Sequence, residues 1–296
     1  MNEIVKLKSD RIEIEVWTLG ARLNGVWFDG IGSLVDGSVT EDEARGAKKY
    51  NGAVVGPVAN RIAGGRAVID GTEHRFERNE NGITTLHSGA TGVHLQTWEV
   101  LRQQPDRLVM RLELPDGLGG FPGNRRLQVD YALGPDGMTV RFDASTDAPT
   151  WMNLALHPYW SLSKKGREDM RLSVRAETYT PVDDDKIPMG TLNPVTGTQF
   201  DLRELQVPDT GIDHNFCLSD LSDKTQHHVR MVGDLGVGLS VWTEAPGVQI
   251  YSGKVIGIAV EPQHFPDAMH HPAFPSIELW PGESYKQVSS YHFEKL

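Results

Sequence analysis

Glu261 opens the stretch of the chain richest in groups that could do chemistry. Residues 257–276, GIAVEPQHFPDAMHHPAFPS, hold this carboxylate together with Gln263, Asp267, three histidines and four prolines. The apolar run Val255–Val260 predicts a core strand that delivers Glu261 at its end, where Pro262 breaks the ladder. A carboxylate held at the mouth of such a strand suits proton transfer more than simple solvation. The segment from Gln263 to Pro275 has too many prolines for a helix and too many aromatics for a disordered linker, which predicts an ordered supporting loop.

Other polar groups are scattered along the chain. Arg61 lies in GPVANRIAGG between glycines that allow sharp turns, and its guanidinium offers a fork of donors suited to sugar hydroxyls or a carboxylate; an ordinary surface arginine has the same local sequence. His87 ends the Ile83–Leu86 run, and His157 sits in WMNLALHPYWSL among three aromatics. Burial lowers a histidine's pKa and a carboxylate raises it, so a pocket supplying both can hold it near neutrality. In GIDHNFCL, strand alternation puts Asp213 and Asn215 on one face and His214 on the other, so one set alone can line a pocket. Gln249, inside the strand-like PGVQIYSG, needs a hydrogen-bonding partner if it faces inward.

Metal chemistry is a poor fit to these spacings. His264, His270 and His271 with Asp267 lack a helical i, i+4 pair, and Pro266 and Pro272 forbid the helix that would make one, so no metal is expected. The lone Cys217 lies in an apolar context and reads as core packing, and the acidic run Asp183–Asp185 lacks the pattern of a calcium loop.

The elements that must position these groups are strands. Alternating apolar and polar residues mark Ile12–Trp17 and its hairpin partner Leu23–Phe28, and Asp70-Gly71 is a tight-turn signal between two further strands. Similar segments follow at 97–101, 108–114, 126–133, 138–143, 172–176, 237–242, 248–251 and 291–293. Thr40–Lys49 is the best helix candidate, with Thr40 as N-cap, Glu43 completing a capping box and Gly46 keeping it short. No polar linker or fixed-period repeat interrupts the pattern, which predicts one antiparallel β domain over residues 1–296.

Composition narrows the partners. A net charge of -11 leaves no basic block to neutralise phosphates, which argues against nucleic acid and anionic membranes and toward a neutral small molecule. One cysteine rules out an intrachain disulfide framework, and neither a signal-peptide core nor an apolar run of membrane-spanning length is present. A cytoplasmic protein, monomer or homodimer, is expected.

Eight segments, in order, resemble the aldose 1-epimerase (mutarotase) family: NRIAGGR (60–66), LHSG (86–89), DGLGGFPGN (116–124), NLALHPYW (153–160), YTPVDDDKIPMG (179–190), GIDHNF (211–216), GVQIYSG (247–253) and EPQHFPDAMHHPAFPS (261–276). The resemblance implies an all-β, antiparallel β-supersandwich (galactose mutarotase-like) with few short helices, acting on a monosaccharide without a cofactor. It implies Glu261 as catalytic base, His157 as catalytic acid, His87 as a second active-site histidine, and Arg61, Asp213, Gln249 and Asn60 as sugar-binding groups. Leu156, Pro158, Trp160 and Ser161 depart from the residues common in the family. For ring opening the base takes the O1 proton and the acid protonates O5, so Glu261 is expected to titrate below neutrality and His157 near or above it. Trp160, Tyr159 and Phe265 are the expected aromatic platforms for a pyranose. A non-catalytic carbohydrate-binding protein and a hexose-6-phosphate 1-epimerase are the rival readings, the latter drawing on Arg66, Arg75 and Arg78.

Overall fold

The computed structural model describes residues 2–219, 221–223, 226–253 and 256–296. Its strands form antiparallel sheets, as the alternating segments predict. The largest has eight strands in the order Glu99–Gln104, Arg107–Leu114, Arg125–Leu133, Gly137–Thr146, Tyr285–Lys295, Val237–Thr243, Val229–Val232 and Arg171–Val174. A six-stranded sheet runs Tyr159–Trp160, Ile258–Gln263, Gly247–Tyr251, Asp213–Leu218, Ala176–Tyr179 and Asn193–Pro194. The N-terminal hairpin, Ile12–Trp17 with Arg22–Phe28, gains Ile4–Lys8 and Ile31–Gly32 as outer strands. Among the described residues no helix is long and apolar enough to cross a membrane.

Period-two alternation decides what each face of the six-stranded sheet carries. One face presents Phe216, Val248, Ile250, Ile258, Val260 and Trp160 to the main core. There the Trp160 ring meets Tyr291 and Phe293 of the eight-stranded sheet, with centroids 5.5 and 5.8 Å apart. Burial of each such side chain contributes about 1.5–3 kcal/mol. The opposite face presents the polar partners of the same strands. Asn215, Gln249 and Glu261 form one cross-strand row, and Asp213, Tyr251, Ala259 and Tyr159 form the next.

The strand carrying Glu261 differs from the sequence expectation at both ends. Val255 lies outside the described residues, and the strand spans Ile258–Gln263. Pro262 does not break the ladder, because it pairs with Val248 in unbroken register on one side. On the other side, pairing with Tyr159–Trp160 stops at Ala259. The missing N–H therefore costs no bond, and Glu261 lies inside a strand and is buried.

Among the described residues the one α-helix, Glu41–Arg45, is capped much as expected. Thr40 Oγ1 accepts from Glu43 N–H at 3.2 Å, while the Glu43 carboxylate reaches back to Val39 N–H at 2.8 Å. Asp70 and Gly71 both have positive φ, 48° and 72°, as the tight turn between Arg66–Ile69 and Thr72–Arg75 demands.

Candidate active site

The polar face of the six-stranded sheet floors a cleft of about 250 Å³, lined by Tyr50, Asn60, Arg61, Glu80, Leu86, His87, His157, Tyr159, Asp213, Gln249, Tyr251 and Glu261. All seven residues singled out for the site in the sequence therefore meet in one place. Asp213 and Gln249 reach it from neighbouring strands and Glu261 from the next. Arg61 and His87 come from a short pair of strands, Arg61–Ile62 and Thr85–Leu86, with His87 immediately following. His157 follows Ala155–Leu156, and its backbone is pinned on both sides: its N–H donates to Ala53 O at 2.9 Å, and its carbonyl accepts from Gly52 N–H at 2.8 Å.

At the bottom of the cleft His157 Nε2 lies 3.2 Å from Glu261 Oε1, with both side chains almost wholly buried (6% and 2% exposed). Burial pulls the His157 imidazole down to about 4. It pushes the Glu261 carboxyl well above the usual range; Asp213 adds to that rise and Arg61 opposes it. This reverses the expectation of an ionised Glu261 beside a protonated His157. Local sequence supplies the neighbouring charges but not the depth, and desolvation outweighs the charges. Both shifts favour the uncharged forms of the pair, Glu261 as carboxyl and His157 as neutral imidazole.

His87 is fixed in a different way. Asn60 N–H donates to its Nδ1 at 3.1 Å. Burial holds the ring well below its ordinary pKa, so it is neutral and its proton sits on Nε2. Asn60 has φ 63° and His87 φ 49°. The Asn60 carbonyl oxygen Oδ1 accepts from Arg61 N–H at 2.9 Å, so this side chain shapes the turn that aims Arg61 as well as lining the cleft.

Arg61 is the centre of a charged chain. Its Nε and Nη2 donate to the two oxygens of Glu80 at 2.7 and 2.9 Å, and Nη1 lies 3.5 Å from Asp213 Oδ2. Gln249 Nε2 donates to the other Asp213 oxygen at 2.6 Å. Of the side chains lining the cleft, Glu261 Oε2, Gln249 Oε1 and His157 Nδ1 are buried without a protein partner among the described residues. Such orphans belong to sites that polar ligands or water complete.

His87, His157 and Glu261 each bring one ligand-capable atom within 4.8 Å of the others. Two histidines and a carboxylate can hold a transition metal. Here the hydrogen bonding does not suit one. A ligating imidazole donates its remaining N–H to an acceptor, whereas His87 Nδ1 accepts from Asn60 N–H and Nε2 keeps the proton. Neither nitrogen offers a free lone pair.

Among the aromatics, Tyr159 lines the cleft and the other two expected platforms do not. Trp160 is core, and Phe265 packs edge-on against Phe274 at 5.2 Å in a second apolar cluster. Tyr50 and Tyr251, unmarked in the sequence, take part instead. Tyr50 covers the histidines, its ring centroid 4.6 Å from His87 and 6.0 Å from His157. Leu156 also belongs to the core, so this departure, like Trp160, faces away from the cleft. His214 turns to Tyr179 and Phe200. His270 and His271 lie 2.7 and 3.4 Å from the oxygens of buried Asp267, which also accepts from Ala63 N–H at 2.9 Å and so ties the late loop to the Arg61 segment. Glu80 is the main residue missed; it sits in a charged turn, ERNENG, with nothing local to single it out. Arg66, Arg75 and Arg78 line a separate surface cleft that shares no residue with this one.

The cleft thus sets a buried carboxyl against an imidazole between polar walls, an arrangement suited to proton transfer on a polar ligand. The aldose 1-epimerase family model matches residues 3–292. Galactose mutarotase from Rattus norvegicus is 33% identical over 98% of this chain and 94% of its own length. Aldose 1-epimerase from Escherichia coli (strain K12) is 32% identical over 82% and 80%. The fold matches that of a GalM/aldose epimerase homologue from C. elegans, with TM-score 0.94 and 24% identity over the whole of both chains. A galactose 1-epimerase from Lactobacillus acidophilus NCFM has TM-score 0.87 and 23% identity, over 100% of this chain and 99% of its own. The chain belongs to the aldose 1-epimerase family, and by class it is an isomerase.

Proposed function

We propose that the chain interconverts the α and β anomers of a free aldose by opening and reclosing the ring, with Glu261 as base and His157 as acid. The observation that carries this reading is the 3.2 Å contact between His157 Nε2 and Glu261 Oε1 on the floor of the cleft. O1 and O5 of a pyranose are both bonded to C1, so groups that act on them together must stand side by side.

In the reactive form the carboxyl proton has moved to His157, and Glu261 is ionised. Glu261 takes the proton from O1 as His157 delivers its own to O5; the C1–O5 bond breaks and C1=O1 forms. Rotation about C1–C2 then presents the other carbonyl face, and the two transfers run backward to close the ring. Each transfer contributes roughly 10²–10⁴-fold. Opening leaves a neutral carboxyl and a neutral imidazole, the forms that burial favours. The low-polarity floor therefore resists charge separation before reaction and favours the open-chain state. His87, with its proton on Nε2, is a neutral donor to a sugar oxygen, while Arg61, Asp213, Gln249 and Asn60 bind hydroxyls and Tyr159 meets an apolar ring face.

Polarimetry on freshly dissolved α-glucose and α-galactose tests the reading. Relaxation to the equilibrium rotation is expected to accelerate in proportion to protein concentration and to survive chelator. Tight binding of either sugar without acceleration would make the protein a carbohydrate-binding module and overturn the proposal.

A further inference from the structure

Glu80 has no part in the ring-opening chemistry, yet it occupies most of the Arg61 fork. Its two oxygens take Nε–H and one Nη2–H of Arg61 at 2.7 and 2.9 Å, and the Thr84 hydroxyl donates to Oε2 at 2.9 Å, which fixes the carboxylate in place. This is the two-pronged geometry in which a guanidinium would otherwise grip the carboxylate of a sugar acid or the phosphate of a sugar phosphate. The pair sits at the wall of the cleft with side chains 10% and 24% exposed, so water screens it only in part. Asp213 lies on the other side of Arg61 at 3.5 Å. Two carboxylates thus face one cation.

We propose that Glu80 determines specificity, by filling the bidentate face of Arg61 with the protein's own carboxylate so that the cleft accepts uncharged aldoses and rejects sugars bearing a carboxylate or phosphate. The inference rests on the anomer-interconversion reading and adds the charge of the substrate to it. A neutral hydroxyl needs one N–H, and of the five on Arg61 two stay free of carboxylate contacts. An anionic sugar must displace Glu80 or enter beside it and Asp213.

The test compares glucose with glucuronate, which has the same ring stereochemistry, as substrates for the unaltered protein, Glu80→Gln and Glu80→Asp. The readout is the ratio of kcat/KM for the acid to that for the neutral sugar. Glu80→Gln is expected to raise this ratio about tenfold or more, the order that one unit charge exerts across a few ångström of a half-solvated cleft. The gain should shrink as salt is raised, and Glu80→Asp should keep the ratio near its original value. An unchanged ratio in folded Glu80→Gln overturns the inference. If that variant does not fold, the unaltered protein decides: its ratio rises with salt when repulsion excludes the anion, and a flat ratio overturns the proposal. Failure of the anomer reading looks different, since glucose relaxation is then not accelerated at all. In that case calorimetric affinities for the two sugars on the same proteins supply the ratio, with the same outcomes deciding.

Discussion

Replacing Glu261 with Gln separates the site's function from its stability. The side chain is 2% exposed, its Oε2 has no protein partner, and burial with Asp213 nearby holds its carboxyl well above the ordinary value of 4.5. A carboxyl with a raised folded pKa keeps its proton where the unfolded chain has lost it. The folded state then binds the extra proton, and stability falls as pH rises above 4.5 toward the folded value, by about 1.4 kcal/mol per pH unit. Glutamine does not titrate and escapes that loss. The variant's stability relative to the unaltered protein is therefore expected to grow with pH over that range, each kcal/mol raising Tm by about 2–4 °C in a chain of this size. Turnover should fall roughly 10²–10⁴-fold, since the amide cannot take the O1 proton. Thermal melts at several pH values and polarimetry on α-glucose measure the two effects independently. Near-normal turnover would remove Glu261 as base, and a stability difference that does not change with pH would show that its carboxyl is ionised at rest.

Other perturbations follow from the same geometry. His157→Asn should cost at least about 10²-fold in turnover by polarimetry; retained turnover would refute His157 as sole acid and point to His87. His157 and His264 are held down to about 4 and His94 to about 3, with burial the leading cause, and His87 moves the same way. These rings stay neutral when the unfolded chain takes up protons, so their contribution is complete above pH 6.5 and is lost as pH falls toward their folded values. Each such ring contributes about 1.4 kcal/mol per pH unit over its window and Glu261, shifted the other way, offsets part of the sum above pH 4.5; urea midpoints at neutral and mildly acid pH would read the net fall. Arg22 is fully buried with no carboxylate partner among the described residues, and its guanidinium donates to the carbonyls of Ala44, Lys48, Lys49 and Asn51. These carbonyls belong to the short helix and to the turn after it that carries Tyr50 over the histidines. Arg22→Met orphans them, at about 1–3 kcal/mol for each that stays buried, and a melting temperature lowered by roughly 10 °C or more is expected.

What the sequence made legible was periodicity and residue type; what it hid was depth and cross-chain pairing. Alternation in DHNFCL was enough to put Asp213 and Asn215 on one face of their strand, and register then brought Gln249 between Asn215 and Glu261 on that face. Pro262 misled because a proline signals a broken ladder only when both sides of the strand are paired, and here one side is open. Trp160 misled because it neighbours His157 along the chain but points to the opposite face of its strand, into the core. Glu80 was invisible because its meaning lies entirely in Arg61, 19 residues away. The protonation pattern failed for a reason of the same kind. The same alternation that gathers the polar groups on one sheet face leaves them open to cover by the Tyr50 turn and the Asn60–His87 segments, and once covered they lose the water that would keep them charged. Burial is therefore built into the way the site is assembled, and the shift of Glu261 and His157 toward their uncharged forms follows from the fold as directly as the cleft does.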